Sequence, residues 1–173
     1  TQFMRKDQIP KFVKYKVRPS FYTLHTFYFA DAHIANRGQE QAMYISPMRD
    51  AIDAGLRPTN HTDFLVAPLD QMMMLCSAVN RISRGGAEIG TDQCVTPYEG
   101  LKSMTEWAAE QYGKEKTKGT LEPGKLADLV ILDWRPSAVE PEGRGGNAAA
   151  LWAGAPASWA IVAGEVRLRE GVA

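Results

Sequence analysis

The sequence predicts an α/β body followed by a small all-β piece, and three observations carry that reading. Up to Gly119, apolar stripes at helical spacing alternate with short β-branched and aromatic runs. Beyond Gly119 the helical period gives way to short strands and turns. The composition, 45% hydrophobic and 23% charged over 173 residues, suits a soluble globular chain with enough apolar material for a core. A boundary is therefore expected near Gly119, dividing residues 1–118 from 119–173.

The elements follow in order. Residues 7–16 place Ile9, Phe12 and Val13 at helical spacing with Pro10 tolerated in the first turn, and 17–24 (VRPSFYTL) reads as a strand. Ser46 and Pro47 can start a helix through MRDAIDAG, which Gly55 would end in the left-handed conformation. LRPTNHTD then reads as a short strand with polar residues at its C-terminal end. Residues 70–84 carry Met72, Leu75, Cys76, Val79 and Ile82 on one core-facing stripe, with Gly85 and Gly86 as the stop. Met72, Met73 and Met74 read as core filling.

Thr96, Pro97 and Glu99 make a capping box for a helix whose stripe of Leu101, Met104, Trp107, Ala108 and Tyr112 runs to Gly113. Glu122-Pro123-Gly124-Lys125 is a type II turn signal leading into the strand LADLVILD. Residues 159–162 and 166–168 read as a hairpin joined by Ala163, Gly164 and Glu165. Strands separated by helices favour parallel β-α-β units, which put a site at the C-terminal ends of the strands. Two places qualify, at His25 and at His61 to Asp63.

Charge narrows the partners. Twenty basic and twenty acidic side chains, spread along the chain, leave no electrostatic footprint for a nucleic acid or an anionic membrane. No apolar run reaches the roughly 18–20 residues of a membrane helix. The two cysteines, Cys76 and Cys94, have neither a metal-ligand nor a disulfide-framework spacing, which suits a reducing, cytoplasmic compartment.

His25, His61 and Asp63 are nitrogen and oxygen donors of the kind that zinc or iron accepts. Spacing alone leaves the alternative open: a His after a strand can be a hydrogen-bonded structural residue, and an Asp before a helix can be a cap. His33, in the polar stretch ADAHIANRGQE, reads as a surface or loop residue. Phe21, Tyr22, Phe27, Tyr28 and Phe29 around His25 suit an apolar pocket wall and core packing equally.

Two segments, KGTLEPGKLADLVILD at 118–133 and NHTDFLVAPLDQMMMLCSAVNRISRGG at 60–86, together with SFYTLHTFYFADAH at 20–33, resemble the amidohydrolase superfamily. The branch is amidohydrolase family 3, which includes metal-dependent hydrolases similar to N-substituted formamide deformylase. The resemblance implies the C-terminal portion of a (β/α)8 TIM-type barrel in residues 1–118 and a segment of a small β-sandwich in 119–173. It implies one or two divalent metals, with zinc foremost, and a small-molecule amide, formamide or cyclic amide as substrate. By match, His25 is the second of the family's two later histidine ligands, and the first belongs just upstream of Thr1. Asp63 is the final aspartate ligand and the general acid/base, which would accept a proton from water and pass it to the leaving nitrogen. His61, expected on the same strand face as Asp63 by the two-residue alternation, would line the site or orient Asp63, and Thr26, Phe27, Tyr28 and Asp31 would shape the substrate pocket.

The family's HxH pair and its bridging residue have no match in the chain. The resemblance therefore implies a C-terminal fragment, inactive alone, that associates with an N-terminal half or with a second copy. The rival expectations are a non-catalytic amidohydrolase-like subunit and a binding module without metal.

Overall fold

The computed structural model describes residues 1–132, 157–162 and 165–169, and the described chain is mixed α/β. Helix α1 (Ile9–Lys14) follows a 3-10 turn at Lys6–Gln8, with Pro10 in its first turn as expected. Strand β1 (Ser20–Phe21) is shorter than the run 17–24, because α2 (Leu24–Tyr28) begins at once. The reason lies elsewhere in the chain. Thr23 donates its hydroxyl to the carbonyl of Met74 and its N–H to Asn60 Oδ1, at 3.2 Å each, which turns the backbone out of the strand.

Helices α3 (Ala30–Arg37), α4 (Gln39–Met43) and α5 (Met48–Asp53) carry the chain to β2 (Thr59–Asn60). Gly55, at φ +83°, stands just past α5 where the helix was expected to stop. β1 and β2 are parallel, with Ser20 opposite Thr59 and Phe21 opposite Asn60. The intervening helices thus form the crossover that the strand and helix alternation predicts.

Helix α6 (Gln71–Asn80) is capped by Asp70, whose carboxylate accepts the N–H of Met73 at 2.8 Å. It ends four residues before Gly85, at Arg81, which adopts the left-handed conformation at φ +52°. The Arg81 guanidinium donates to the carbonyls of Ile89 and Ile45 at 2.7 Å each, and those distant partners compensate a stop that glycine would make locally. The single stripe is also exceeded: Met73 through Asn80 are buried on all sides, while Met72 is half-buried. With Phe21, Leu24, Met48, Ala51 and Val95 they form the core. Cys76 lies in this core and Cys94 is buried as well; burial pushes the Cys76 thiol up to about 11.

The Thr96 and Glu99 capping box starts α7 (Pro97–Met104) as predicted. The stripe read as one helix to Gly113 is two, because Thr105 breaks it (φ −123°, ψ −88°) before α8 (Glu106–Gln111). The Thr105 hydroxyl bonds back to the carbonyl of Leu101 at 2.8 Å, a local competitor of the helical ladder. The Glu122 to Lys125 turn closes with Lys125 N–H on the Glu122 carbonyl at 3.1 Å and Gly124 at φ +92°. β3 (Leu129–Leu132), β4 (Ala157–Val162) and β5 (Glu165–Arg169) form an antiparallel sheet in the order β3-β4-β5. The predicted hairpin is β4 and β5, with Val162 opposite Glu165; its connection at 163–164 lies outside the described residues. Among the described residues no helix is long and apolar enough to cross a membrane.

Candidate active site

The C-terminal ends of β1 and β2 meet side by side, the place where parallel α/β folds build sites. Asn60 locks them together: its amide donates to Thr23 Oγ1 at 2.8 Å while its oxygen accepts the Thr23 N–H. That bridge sets the start of α2 against the end of β2. It thereby brings Tyr22 and His25 beside His61. The Tyr22 ring stacks on both imidazoles, with centroids at 5.3 Å from His25 and 5.6 Å from His61 and interplanar angles of 21° and 19°.

His25 is fully buried. Its Nε2 lies 2.9 Å from Ser46 Oγ, and its Nδ1 faces His33 Nε2 at 3.1 Å and the side-chain amide of Gln2. Burial, reinforced by the neighbouring His33 and Arg81, pushes the His25 pKa down to about 2, so the ring is neutral. Burial lowers His33 and His61 as well, and the Asp63 carboxylate partly opposes the shift at His61. Burial and the same carboxylate raise Tyr22. Among the described residues its enclosed hydroxyl has no hydrogen-bond partner.

Asp63 follows the end of β2 at φ +52° and is exposed. Because β2 stops at Asn60, the two-residue alternation does not reach Asp63; Thr62 is buried between the half-buried His61 and the exposed carboxylate. The loop beyond it is apolar and open to solvent, with Phe64 60% and Leu65 85% exposed. Phe27 and Tyr28 are half-buried, meet edge to face at 5.0 Å and pack against the core. A separate cleft of about 670 Å³, lined in part by Phe3, Arg37, Tyr44 and Asp92, contains none of the residues singled out from the sequence.

Sequence reasoning missed Ser46, Gln2 and His33. His33 sits in α3, half-buried against His25, and not in a loop. Its signal was the confinement of all three histidines of the chain to residues 25–61. Ser46 and Gln2 had no local signal, because their roles depend on partners more than twenty residues away.

Among the described residues no three His, Cys, Asp or Glu side chains converge to hold a metal ion. His25 and Asp63 are two donors of the right chemistry, and they do not make a metal centre on their own. The nitrogens of His25 are turned to Ser46, Gln2 and His33.

The sequence model of the amidohydrolase family matches residues 1–166. N-substituted formamide deformylase of Arthrobacter pascens is 32% identical over 101 residues, covering 58% of this chain and 19% of that protein. An uncharacterized metal-dependent hydrolase of Pyrococcus horikoshii OT3 is similar in structure, with a TM-score of 0.68 and 27% identity over 84% of this chain and 30% of that one. A zinc-bound adenosine deaminase of Xanthomonas campestris shares the fold, with a TM-score of 0.66 and 19% identity over 98% of this chain and 36% of that one. The chain spans about a fifth of the length of the curated relative it matches.

Proposed function

The chain belongs to the amidohydrolase family, and from that premise we propose that it forms part of a metal-dependent hydrolase of a carbon–nitrogen bond other than a peptide bond. The bond is that of an amide, formamide or cyclic amide. Residues 1–118 are the C-terminal portion of its barrel, and 119–173 belong to its β-sandwich. The observation that supports the reading is the meeting of His25 and His61 on the Tyr22 ring at the ends of two parallel strands, with Asp63 two residues beyond His61, within a chain that matches the family over residues 1–166.

In this reading Asp63 is the proton carrier. Its exposed carboxylate takes a proton from the attacking water and returns it to the leaving nitrogen. His25 and Asp63 are two ligands of a divalent metal, zinc foremost, and parts of the protein that the chain does not span complete the set. His61, Phe27 and Tyr28 line the substrate pocket. The chain works with an N-terminal half of the barrel or with a second copy, and alone it is inactive. The two buried thiols suit the cytoplasm.

One observation favours a second reading, a structural or binding role without metal: both ring nitrogens of His25 already have partners. Elemental analysis of the intact protein separates the two. The hydrolase holds close to stoichiometric divalent metal, and Asp63→Asn loses it along with about 10²–10⁴-fold of the amide hydrolysis. A protein without metal whose amide turnover is nil belongs to the second reading.

A further inference from the structure

We propose that the cleft of about 670 Å³ between residues 3–6 and residues 37–45 is a binding site for a small organic monoanion, a carboxylate carried on a flat apolar body. The proposal stands apart from the hydrolase reading, because the cleft contains none of His25, His61 and Asp63.

Size and lining set the class of ligand. Small molecules bind in concavities of about 300–1,000 Å³ that are mostly apolar, with a few polar groups to orient them. Here the buried Met4 and Ile45 and the rings of Phe3 and Tyr44 supply apolar lining. Residues outside the cleft hold that lining in place. Arg81 Nη2 donates to the Ile45 carbonyl at 2.7 Å, and the Tyr44 hydroxyl donates to Asp50 Oδ2 at 2.6 Å.

Two cations stand ready for the anion. The Arg37 guanidinium lies over the Phe3 ring at 3.7 Å from its centroid, and Lys6 Nζ lies over the Tyr44 ring at 5.0 Å. Neither side chain has an ion pair or a hydrogen bond among the described residues. A guanidinium laid on a ring face keeps its in-plane N–H donors free, and their fork matches the two oxygens of a carboxylate. The third cation of the lining, Arg5, already pairs with Asp7 at 2.9 Å. Glu40 and Asp92 stand in the same lining and would repel a second negative charge, which selects a monoanion over a phosphate or a polyanion.

Phe3 also meets His33 edge to face at 5.5 Å, so the cleft borders the histidine cluster and the experiment has to tell the two apart. Titration calorimetry of the intact protein with 2-naphthoate should show one site per chain. Neutral 2-naphthalenemethanol, which lacks the charge, and acetate, which lacks the apolar body, should each bind at least about 10-fold more weakly. Arg37 is exposed, so Arg37→Gln leaves the core untouched and should weaken 2-naphthoate binding by about 10-fold. Arg5→Gln and Asp63→Asn should leave that affinity unchanged. Absence of binding, equal affinity for the neutral alcohol, or an Arg37→Gln protein that binds like wild type overturns the proposal. Binding lost in Asp63→Asn and kept in Arg37→Gln puts the carboxylate in the candidate active site, and overturns it as well.

Discussion

Glu99 joins α7 to α5, and removing it tests whether that joint holds as the geometry says. One carboxylate oxygen accepts three bonds: from Thr96 N–H and Thr96 Oγ1 at 2.9 Å each, and from Arg49 Nη1 at 2.6 Å. Arg49 is only 8% exposed, and its remaining partner Asp53, at 2.8 Å, is largely in solvent. Glu99→Ala removes half of the capping box and the buried partner of Arg49. From a typical cap and a typical bond to a charged group, the loss is about 2–4 kcal/mol. Glu99→Gln keeps an oxygen for Thr96 and loses mainly the charge, so it should cost about 1–2 kcal/mol.

Urea unfolding of the protein, followed by circular dichroism, should show the alanine variant's midpoint lowered by about 1–2 M. The pH dependence separates charge from shape. Burial alone would raise the Glu99 carboxyl, but the bonds from Arg49 and Thr96 outweigh it and hold the group below its ordinary value. A depressed carboxylate stabilises the fold above its unfolded pKa, and that contribution is lost as pH falls through the folded one. The gap between wild type and Glu99→Gln should therefore persist at neutral pH and close in acid, below the usual carboxylate range. A gap that stays constant into acid, or an alanine variant within about 0.5 kcal/mol of wild type, the range of ordinary surface changes, would refute the reasoning.

Two further perturbations follow from the same structure. His25 is neutral in the fold because burial drives its pKa down to about 2, whereas the unfolded chain takes up the proton near 6.5. Stability should thus fall as pH drops below about 6.5, at up to about 1.4 kcal/mol per pH unit for this one group; His25→Gln should flatten that limb in a series of denaturant melts, and an unchanged slope would contradict the neutral buried ring. Gly90 sits at φ +59° with its missing side chain aimed at the Met43 carbonyl, where a Cβ would come within 1.8 Å. Gly90→Ala should cost about 2–5 kcal/mol from left-handed strain and overpacking together, and a thermal midpoint equal to wild type would show that the backbone gives way.

Features legible in the sequence are those whose partners lie within a few residues. The capping box spans Thr96 to Glu99, the turn spans Glu122 to Lys125, and both close by hydrogen bonds between residues three apart. Such bonds form whatever the rest of the chain does, so residue type at a spacing is enough to announce them. The family likeness belongs here too, since it is carried by residue strings such as 60–86 and 118–133.

Tertiary structure decided the rest. Where α6 ends depends on Arg81 finding the Ile45 carbonyl 36 residues earlier in the chain. Where β1 ends depends on Asn60 and Met74 capturing Thr23. Placing His33 against His25 required the turn at Phe29 that separates α2 from α3. A residue's type states which bonds it can make, and burial obliges a polar group to make them. Which partner it meets is settled only when the chain has closed around it.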